Sequence, residues 1–397
     1  MSKNNNTQNV TVDLVITAHD MQDCLDECLA SLTNQTYGHF RGYIIEDGSL
    51  DDTAAIAQRF AQTDERFSLF QTPGIGAAAA RNFGMDKVDA PYFMLLDGDD
   101  IFHPTMLEQL VDAAVSTEAD LVVCDMVQFV HDPTRAHEQR TYVAAPWSLK
   151  KSQLPDPSSA DWKVHPWVNW HTIPGNLFAA FMGWPWDKLY RSAFIRKHDL
   201  RFPEDLSNSE DMLFTYEALV LADRIAVVDD ALIDHRIERT GSVSSSRARE
   251  PLAFYEGLKR MRDFLQTLPS GEGNGAQNAW GALRQPFLNW AFDWTLWNIE
   301  TLADPAVQAQ LIKMLHDDQF ALLELRAHNP AYFTGYPRTM ARYASLLDDQ
   351  PDLDANTGPL GALDQLPYGS FKPWCQANIV EKLAIKRRMR KNKPSEW

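Results

Sequence analysis

Short apolar stretches alternate with helically spaced apolar residues over residues 12 to 129. The stretches of strand length are VDLVIT, GYIIED, RFSLF, YFMLLD and DLVVCDMVQF. Between them apolar residues recur three and four positions apart, which is the period of a helix with one buried face. The predicted helices contain Leu25 to Leu32, Ile56 and Phe60 after a start near Ser49 or Asp51, Ala77 to Met85, and Met106 to Val115. This alternation predicts an α/β fold of the nucleotide-binding type, with a mostly parallel central sheet.

The pattern changes twice in the rest of the chain. Regular spacing stops over residues 131 to 176, which are rich in proline and tryptophan and are predicted to form an ordered, irregular excursion. It returns with the helix-like EDMLFTYEALVLA and the strand-like RIAVVDD. Beyond Pro251 the chain is predicted to be helical, at Leu252 to Leu268, Trp280 to Leu302 and Val307 to Ala327. We therefore predict a first domain at 10–246, a helical C-terminal region at 247–370 and a basic tail at 371–397.

Composition and charge narrow the classes of function. Hydrophobic residues make up 45% of the 397 positions, as in folded soluble proteins. The formal net charge of −17 argues against general nucleic-acid binding, which needs basic surface to neutralise phosphates. A phosphorylated ligand would need a cation on such a protein. The tail is the exception, because its eight Lys or Arg and two Glu give a local charge of +6 and leave −23 on the rest.

The chain carries no sequence signal for export or membrane insertion. Its first residues, MSKNNNTQNV, lack the basic start and apolar stretch of a signal peptide, and no window approaches the ~20 apolar residues of a membrane span. The four cysteines are too few and too scattered for a disulfide framework. Cys24 and Cys28 are interpreted as reduced, half-buried thiols. These observations predict a cytoplasmic protein.

Three carboxylates follow the fourth predicted strand in LLDGDD, at Asp97, Asp99 and Asp100. Parallel α/β sheets bind ligands at the carboxyl ends of their strands. Like charges this close are favourable mainly when a cation joins them, and Mg²⁺ or Mn²⁺ completes its shell with substrate phosphates and water. Taken alone, the run is equally compatible with a solvated acidic turn before the helix that follows Pro104.

Two further motifs lie near the predicted carboxyl edge. Asp47, in IEDGSLDD, ends the second strand and could accept the N–H of a pyrimidine or a ribose hydroxyl. The run PGIGAAAARNFG matches the dinucleotide pattern G-x-G-x-x-A, which suggests a dehydrogenase. However, Pro73 interrupts the motif, which follows the third strand instead of the first, and a nicotinamide site has no use for three carboxylates. The glycines are interpreted as a turn that brings Arg81 to the ligand, or into a plain ion pair.

Taken together these motifs resemble one enzyme family over about Val12 to Ser246. The segments that carry the resemblance are, in order, TAHD, IEDGSLDD, GIGAAAARNFG, LLDGDD, SEDMLF and DHRIERTGSVS. Their order and spacing resemble those of the family-2 glycosyltransferases with the GT-A fold. The resemblance implies an inverting transferase that uses a nucleotide-diphosphate sugar, usually a UDP-sugar, together with Mn²⁺ or Mg²⁺.

The resemblance also implies a role for individual residues. The donor-binding positions would be Thr17, His19, Asp47, Arg81, Asp97 and Asp99. The first three would contact the nucleoside, Arg81 the base or phosphates, Asp97 the ribose, and Asp99 the metal and pyrophosphate. His235 is the second candidate metal ligand, and Arg236 and Arg239 are candidates for a loop that closes over the pyrophosphate. At TAHD the chain departs from many relatives, which carry an aromatic residue and an asparagine in place of His19 and Asp20.

Asp211 is the candidate catalytic base. Inversion at an anomeric carbon requires a base on the face opposite the leaving phosphate, and a carboxylate suffices for this. The alternative is that Glu210 and Asp211 only complement the dipole of the following helix, after a cap at Ser207 or Ser209. The positions expected on the acceptor side are Trp186, Lys188 and Glu210, with Trp184 nearby.

The sequence thus favours a metal-dependent, inverting glycosyltransferase of the hexosyltransferase type. From the family resemblance we expect a saccharide or lipid-linked acceptor in the synthesis of cell-surface polysaccharide or glycolipid. The basic tail predicts attachment to an anionic membrane surface, on the inner face of the cell membrane. Two alternatives stay open, a sugar nucleotidyltransferase and a non-catalytic carbohydrate-binding protein of the same fold. The first would need a glycine-rich, basic loop after the first strand, which TAHDMQD does not supply.

Overall fold

A computed structural model defines the structure of most of the chain up to residue 324. The residues described are 10–130, 141–144, 149, 153–156, 158–160, 163, 165–206, 208–237, 250, 252–268, 279–301, 304–318 and 321–324. The contacts within the chain divide it into two units, one ending at Gly241 and one beginning at Ser242. The sequence placed this boundary between residues 246 and 247. The basic tail at 371–397 lies outside the described residues.

The first unit is built on one nine-stranded sheet. Its strands are β1 (Val12–Ala18), β2 (Phe40–Asp47), β3 (Phe67–Thr72), β4 (Tyr92–Asp97), β5 (Ile101–Phe102), β6 (Leu121–Val130), β7 (Thr141–Ala144), β8 (Lys188–Arg191) and β9 (Ile225–Ile237). They lie in the order β3-β2-β1-β4-β8-β6-β9-β5, and β7 pairs with β6. The pairs β1–β2, β1–β4, β2–β3 and β6–β9 are parallel. The predicted α/β class with a mostly parallel sheet is confirmed.

Helices pack against this sheet and complete its core. Those of the first unit are α1 (Leu25–Thr33), α2 (Thr53–Thr63), α3 (Ala77–Met85), α4 (Met106–Thr117), α5 (Leu177–Ala180), α6 (Ser192–Lys197) and α7 (Glu210–Leu221). All seven residues of β1 are buried, because helices cover the central strands and water reaches neither face. The buried residues of α1 are Leu25, Cys28, Leu29 and Leu32, as their spacing predicted.

The second unit is helical in its described part, as predicted. Its helices are α8 (Ala253–Thr267), α9 (Ala279–Thr301) and α10 (Pro305–Asp317). The third helix ends at Asp317, ten residues before the predicted end at Ala327. Asp304 caps it, because its side chain accepts a hydrogen bond from the backbone N–H of Ala306 at 2.8 Å. In the described residues of both units no helix has the length and apolar character needed to cross a bilayer.

Two features of the first unit differ from the prediction. The excursion at 131–176 contains a strand, β7, which the sequence pattern did not indicate, although much of the excursion lies outside the described residues. β9 has 13 residues where the pattern predicted a strand of about seven. His235 and Arg236 therefore lie in a strand and not in the loop where they were predicted. The reason is that β9 pairs with β6 again after a shift in register at Asp229 and Asp230, and the pairing continues to Ile237.

Candidate active site

The carboxyl ends of β1, β2 and β4 meet at one edge of the sheet. Thr17 of β1 is in register with Asp97 of β4, and its hydroxyl lies 3.5 Å from the Asp97 carboxylate. Asp47 ends the neighbouring strand β2. Because the three strands are parallel, these polar residues, which are far apart in the sequence, share one edge, as the motif analysis expected.

Arg81 connects this edge, at the end of β4, to the start of α7. One terminal nitrogen donates to Asp97 at 3.0 Å and the other donates to Glu210 at 3.2 Å. The Arg81 side chain is 11% exposed and its guanidinium also lies 5.4 Å from the centroid of the Phe202 ring. The neighbouring carboxylates raise the pKa of Arg81 although burial opposes this, so the group stays charged. Of the two interpretations of Arg81, the structure shows the ion pair. A contact between Arg81 and a nucleotide-sugar donor stays a prediction.

Asp211 follows Glu210 in the first turn of α7. One of its carboxylate oxygens accepts a hydrogen bond from the backbone N–H of Met212 at 2.7 Å. Burial and the like charge of Glu210 raise the pKa of Asp211 to about 7, against the opposing effect of Arg81. A carboxyl group with this pKa is well matched to take up a proton near neutral pH. Ser209 precedes the helix with a φ of 69° and makes no side-chain capping bond, and Ser207 lies outside the described residues.

Asp47 and His19 are tied to the backbone around them. The Asp47 carboxylate accepts hydrogen bonds from the Thr72 hydroxyl at 2.6 Å and from the backbone N–H groups of Ile75 and Gly76 at 2.7 and 2.8 Å. Burial alone would raise the pKa of Asp47, but these three donors lower it. The His19 Nδ1 lies 2.6 Å from the carbonyl oxygen of Asp47 and must donate to it, since a carbonyl only accepts.

The glycine turn of residues 73 to 76 is therefore held by Asp47. Gly74 and Gly76 have φ angles of 82° and 91°, which residues with a Cβ rarely adopt. The turn leads directly into α3, which carries Arg81. These glycines thus shape the approach of α3, as interpreted from the sequence. Contacts of Thr17, His19 and Asp47 with a nucleoside stay predictions.

Aromatic rings surround His235, which lies beside the acidic turn formed by residues 97–100. The Trp186 ring stacks on the His235 ring with centroids 4.5 Å apart, and Trp184 stacks on Trp186 at 5.1 Å. The His235 Nδ1 lies 2.9 Å from the Asp100 carboxylate. Burial would lower the pKa of His235, but the anionic neighbours, Asp100 first, raise it. Trp186 is 3% exposed, so its role here is to immobilise the imidazole, and its predicted contact with an acceptor would need a movement of this stack.

Lys188 does not occupy the acceptor-facing position that was predicted for it. Its side chain is 0% exposed, and the ammonium donates to the carbonyl oxygens of Met182 at 3.1 Å and Trp184 at 2.8 Å and pairs with Asp187. These three acceptors use all three donors of the ammonium group. Lys188 therefore fixes the loop that carries the two tryptophans. The prediction failed because an amphipathic residue in a tryptophan-rich segment gives no sign of where its charge lies.

Arg236 does not lie in a loop that could close over the pyrophosphate, as was predicted for it. Its side chain is 4% exposed and pairs with Glu27 of α1 at 2.8 Å. Arg239, the other member of that predicted loop, lies outside the described residues. The sequence analysis also missed Asn82, whose amide binds the backbone of Phe202 in both directions, at 2.9 and 3.0 Å. The only sequence signal for Asn82 was its place beside Arg81, in the helix that follows the glycine turn.

The acidic turn itself fits a cation held jointly with a substrate. Asp97 is bound to Arg81, and Asp100 to His235 and to the backbone of Arg236. Asp99, which is half-buried, lies between them in the turn. No group of three or more His, Cys, Asp or Glu side chains in the described residues could hold a metal ion by itself. A cation at Asp99 would thus share its shell with phosphate oxygens and water, which is how nucleotide sites commonly hold Mg²⁺.

The chain is similar in sequence to known glycosyltransferases. Residues 13–177 match the model of Glycosyl transferase family 2. The putative glycosyltransferase EpsH of Bacillus subtilis is 27% identical over 250 residues, which are 62% of this chain and 67% of that protein. The cholesterol galactosyltransferase of Borreliella burgdorferi is 26% identical over 278 residues, which are 67% of this chain and 70% of that protein.

The solved structures agree with these relatives. The crystal structure of Staphylococcus aureus TarS 1–349 in complex with UDP-GlcNAc superimposes with a TM-score of 0.63 and 21% identity. The match covers 85% of this chain and 87% of that one. At this identity the likeness establishes the fold, which is the GT-A fold expected from the sequence. The N-terminal unit of this chain therefore has the GT-A fold and resembles the family-2 glycosyltransferases over residues 13–177.

Proposed function

We propose that this chain transfers a sugar from a nucleotide-diphosphate donor, a UDP-sugar, to a saccharide or lipid-linked acceptor with inversion at the anomeric carbon. The observation that carries the proposal is the bridge made by Arg81 between Asp97 at the end of β4 and Glu210 at the start of α7. The bridge joins the sheet edge where the donor is proposed to bind to the residue next to the candidate base, Asp211. The relative TarS, whose structure holds UDP-GlcNAc, supports the class of donor.

The proposed reaction is a single displacement. The acceptor hydroxyl attacks the anomeric carbon from the face opposite the diphosphate, and its proton passes to the Asp211 carboxylate as the new bond forms. The bond between the anomeric carbon and the diphosphate oxygen breaks, and its electron pair leaves with the nucleoside diphosphate. A pKa of Asp211 near 7 leaves the carboxylate about half ionised at neutral pH and largely ionised only above it. We therefore expect transfer to be fastest above neutral pH.

Asp99, with His235 as a second ligand, would hold Mn²⁺ or Mg²⁺ at the diphosphate. A bound cation would neutralise the charge that develops on the leaving group. The His235 Nδ1 is committed to Asp100, so Nε2 is the nitrogen through which His235 would bind. Arg81 keeps the Asp97 carboxylate fixed, and the Asp100 carboxylate orients the imidazole.

The deciding experiment screens nucleotide sugars for release of nucleoside diphosphate, with Mn²⁺, with Mg²⁺ and with EDTA. Release of UDP from one UDP-sugar, without inorganic pyrophosphate from UTP and a sugar 1-phosphate, supports the transferase and excludes the nucleotidyltransferase. Binding of a UDP-sugar with no turnover in any acceptor mixture or in water would support the carbohydrate-binding alternative.

Asp99→Ala tests the place of the cation. Because Asp99 is the proposed protein ligand, the variant should lose the metal-dependent part of its affinity for UDP while its melting temperature stays near that of the wild type. Isothermal titration calorimetry with UDP and Mn²⁺ measures this. Unchanged affinity in the variant would remove Asp99 from the metal site.

A further inference from the structure

Arg236 joins the acidic turn to two other parts of the first unit. Its Nε donates to the carbonyl oxygen of Asp99 at 2.8 Å, and a terminal nitrogen donates to Glu27 of α1 at 2.8 Å. The guanidinium also lies 4.7 Å from the centroid of the Phe129 ring, on β6. With 4% of the side chain exposed, these protein groups and not solvent surround the charge. Its partners belong to α1, β6 and the turn that contains Asp99.

The backbone of Arg236 makes a second contact with the same turn. Its N–H donates to the Asp100 carboxylate at 2.9 Å, and the same oxygen lies 2.9 Å from His235 Nδ1. One residue of β9 thus binds two consecutive residues of the turn, Asp99 through its carbonyl and Asp100 through its carboxylate. These two bonds restrain the peptide group between Asp99 and Asp100. That peptide group is attached to the Cα that carries the Asp99 side chain.

Gly98 fixes the other end of the turn. Its N–H donates to the carbonyl oxygen of Thr17 at 3.0 Å. A Cβ at this position would lie 2.9 Å from that oxygen and 3.0 Å from the sulfur of Met21, so the backbone is packed directly against β1 and the segment that follows it. The residue between Gly98 and Asp100 therefore has little freedom as long as Arg236 stays in place.

We propose that Arg236 is a positioning residue for Asp99. It holds the turn so that the Asp99 carboxylate is already oriented toward a cation and diphosphate before they bind. This inference rests on the proposed function, in which Asp99 supports metal-dependent nucleotide binding. It assigns to Arg236 a role through the backbone of the turn, without a contact to the donor.

Arginine suits this role for a geometric reason. Its planar guanidinium can donate to the Asp99 carbonyl and to Glu27 in fixed directions while its face packs on an aromatic ring. A lysine keeps the charge but has one nitrogen at the end of a flexible stem. Lysine at 236 would therefore leave the Asp99 carbonyl or Glu27 without its donor. The turn would lose either its bond to the side chain at 236 or the anchor on α1 that fixes that side chain.

The experiment uses Arg236→Lys in the full chain and measures UDP affinity by calorimetry, with Mn²⁺ and with EDTA. The ratio of the two affinities is the metal-dependent gain. Residues that orient a metal ligand typically change metal affinity by about 10- to 100-fold, so we expect the gain to fall by about tenfold or more. The affinity in EDTA should stay as in the wild type, because Arg236 does not contact the nucleotide.

Arg66→Lys is the matched control. Arg66 also binds a carboxylate, Asp64, and a backbone carbonyl, that of Thr33, and its guanidinium lies 4.5 Å from the centroid of the Phe40 ring. It precedes β3, at the opposite edge of the sheet from the acidic turn. Its replacement should lower the melting temperature and leave the metal-dependent gain unchanged, which separates a loss of stability from a loss of positioning.

Phe129→Leu provides a second variant without any change of charge. It removes the ring under the guanidinium and should reduce the gain in the same direction, by less than Arg236→Lys. If Arg236→Lys gives no cooperative melting transition, this variant decides the question. If the folded variants showed the same metal-dependent gain in UDP affinity as the wild type, the proposed role of Arg236 would be wrong. Equal UDP affinity of the wild type with Mn²⁺ and with EDTA would instead contradict the proposed metal site at Asp99.

Discussion

At the scale of single residues, the protonation of Asp211 is expected to control the rate. Its pKa is raised to about 7 in the folded protein, against about 4 for an ordinary Asp. Below that pKa the carboxyl is protonated and cannot accept the acceptor's proton, so transfer should rise with pH through about 7. The same pKa shift has the opposite effect on the free energy of unfolding, which falls as the pH rises. The contribution of this carboxyl is present below pH about 4 and is lost as the pH rises toward 7.

Asp211→Asn keeps the size of the side chain and an oxygen that can accept the N–H of Met212, but removes the base. Transfer should fall by about 10²- to 10⁴-fold, while affinity for the UDP-sugar stays close to that of the wild type. Single-turnover transfer and donor binding should be measured on the same folded preparation. A structural role at the start of α7 predicts instead a lower melting temperature and nearly intact turnover.

Glu210→Gln tests why the pKa of Asp211 is high. After burial, the charge of Glu210 is the largest cause of the increase. Removing it should move the midpoint of the pH–rate profile to lower pH, and the rate at acid pH should rise relative to the plateau. Glu118→Gln, at an exposed carboxylate that pairs with Arg224, serves as the control. A midpoint that stays in place in Glu210→Gln would show that burial alone sets the pKa.

At the scale of elements, the close contact between α3 and the sheet positions Arg81. A Cβ on Gly84 of α3 would lie 2.3 Å from Cγ1 of Val15 and 3.2 Å from Cγ1 of Ile45. Helix propensity alone favours alanine over glycine by about 1 kcal/mol. Overpacking typically costs about 1–3 kcal/mol, so packing should decide whether an alanine at position 84 stabilises or destabilises the protein.

We therefore expect Gly84→Ala to be destabilising and to weaken donor binding, since it pushes α3 and Arg81 away from Asp97. Thermal unfolding and UDP titration measure the two effects. Gly38→Ala is the control, because a Cβ at Gly38 meets no atom within 4 Å. A more stable Gly84→Ala protein would show that the helix can move without consequence.

At the scale of the whole molecule, charge is divided between an acidic chain and its basic C-terminal tail. Each basic residue near an anionic leaflet contributes on the order of 1 kcal/mol before salt screening. We expect the full chain to sediment with anionic liposomes at low salt, and a chain without residues 371–397 to stay in solution. High salt and neutral liposomes are the controls. Equal recovery of both chains would argue against attachment through the tail.

The local elements of this protein followed from its sequence. The strands β1 and β4 and the helices α1 and α3 lie where the sequence pattern predicted them. β1 and β4 are short, nearly continuous apolar runs, as buried parallel strands are, and α1 buries one face at helical spacing. The motifs at Asp47 and at Asp97 to Asp100 could also be placed at one edge of the sheet, because the carboxyl ends of parallel strands lie together.

Only the tertiary structure decided how the charged groups of the site are paired. Arg81 and Glu210 are 129 positions apart, and Arg236 and Glu27 are 209 apart. Such pairs depend on the path of the whole chain, which local periodicity does not contain. Lys188 was expected to face a ligand from its place before α7, and Arg236 from its place in a predicted loop. Lys188 donates to groups close to it in the sequence, at Met182, Trp184 and Asp187. Arg236 donates to Asp99 and Glu27 from distant segments. Because these partners satisfy their donors, both side chains could be buried as supports of the site.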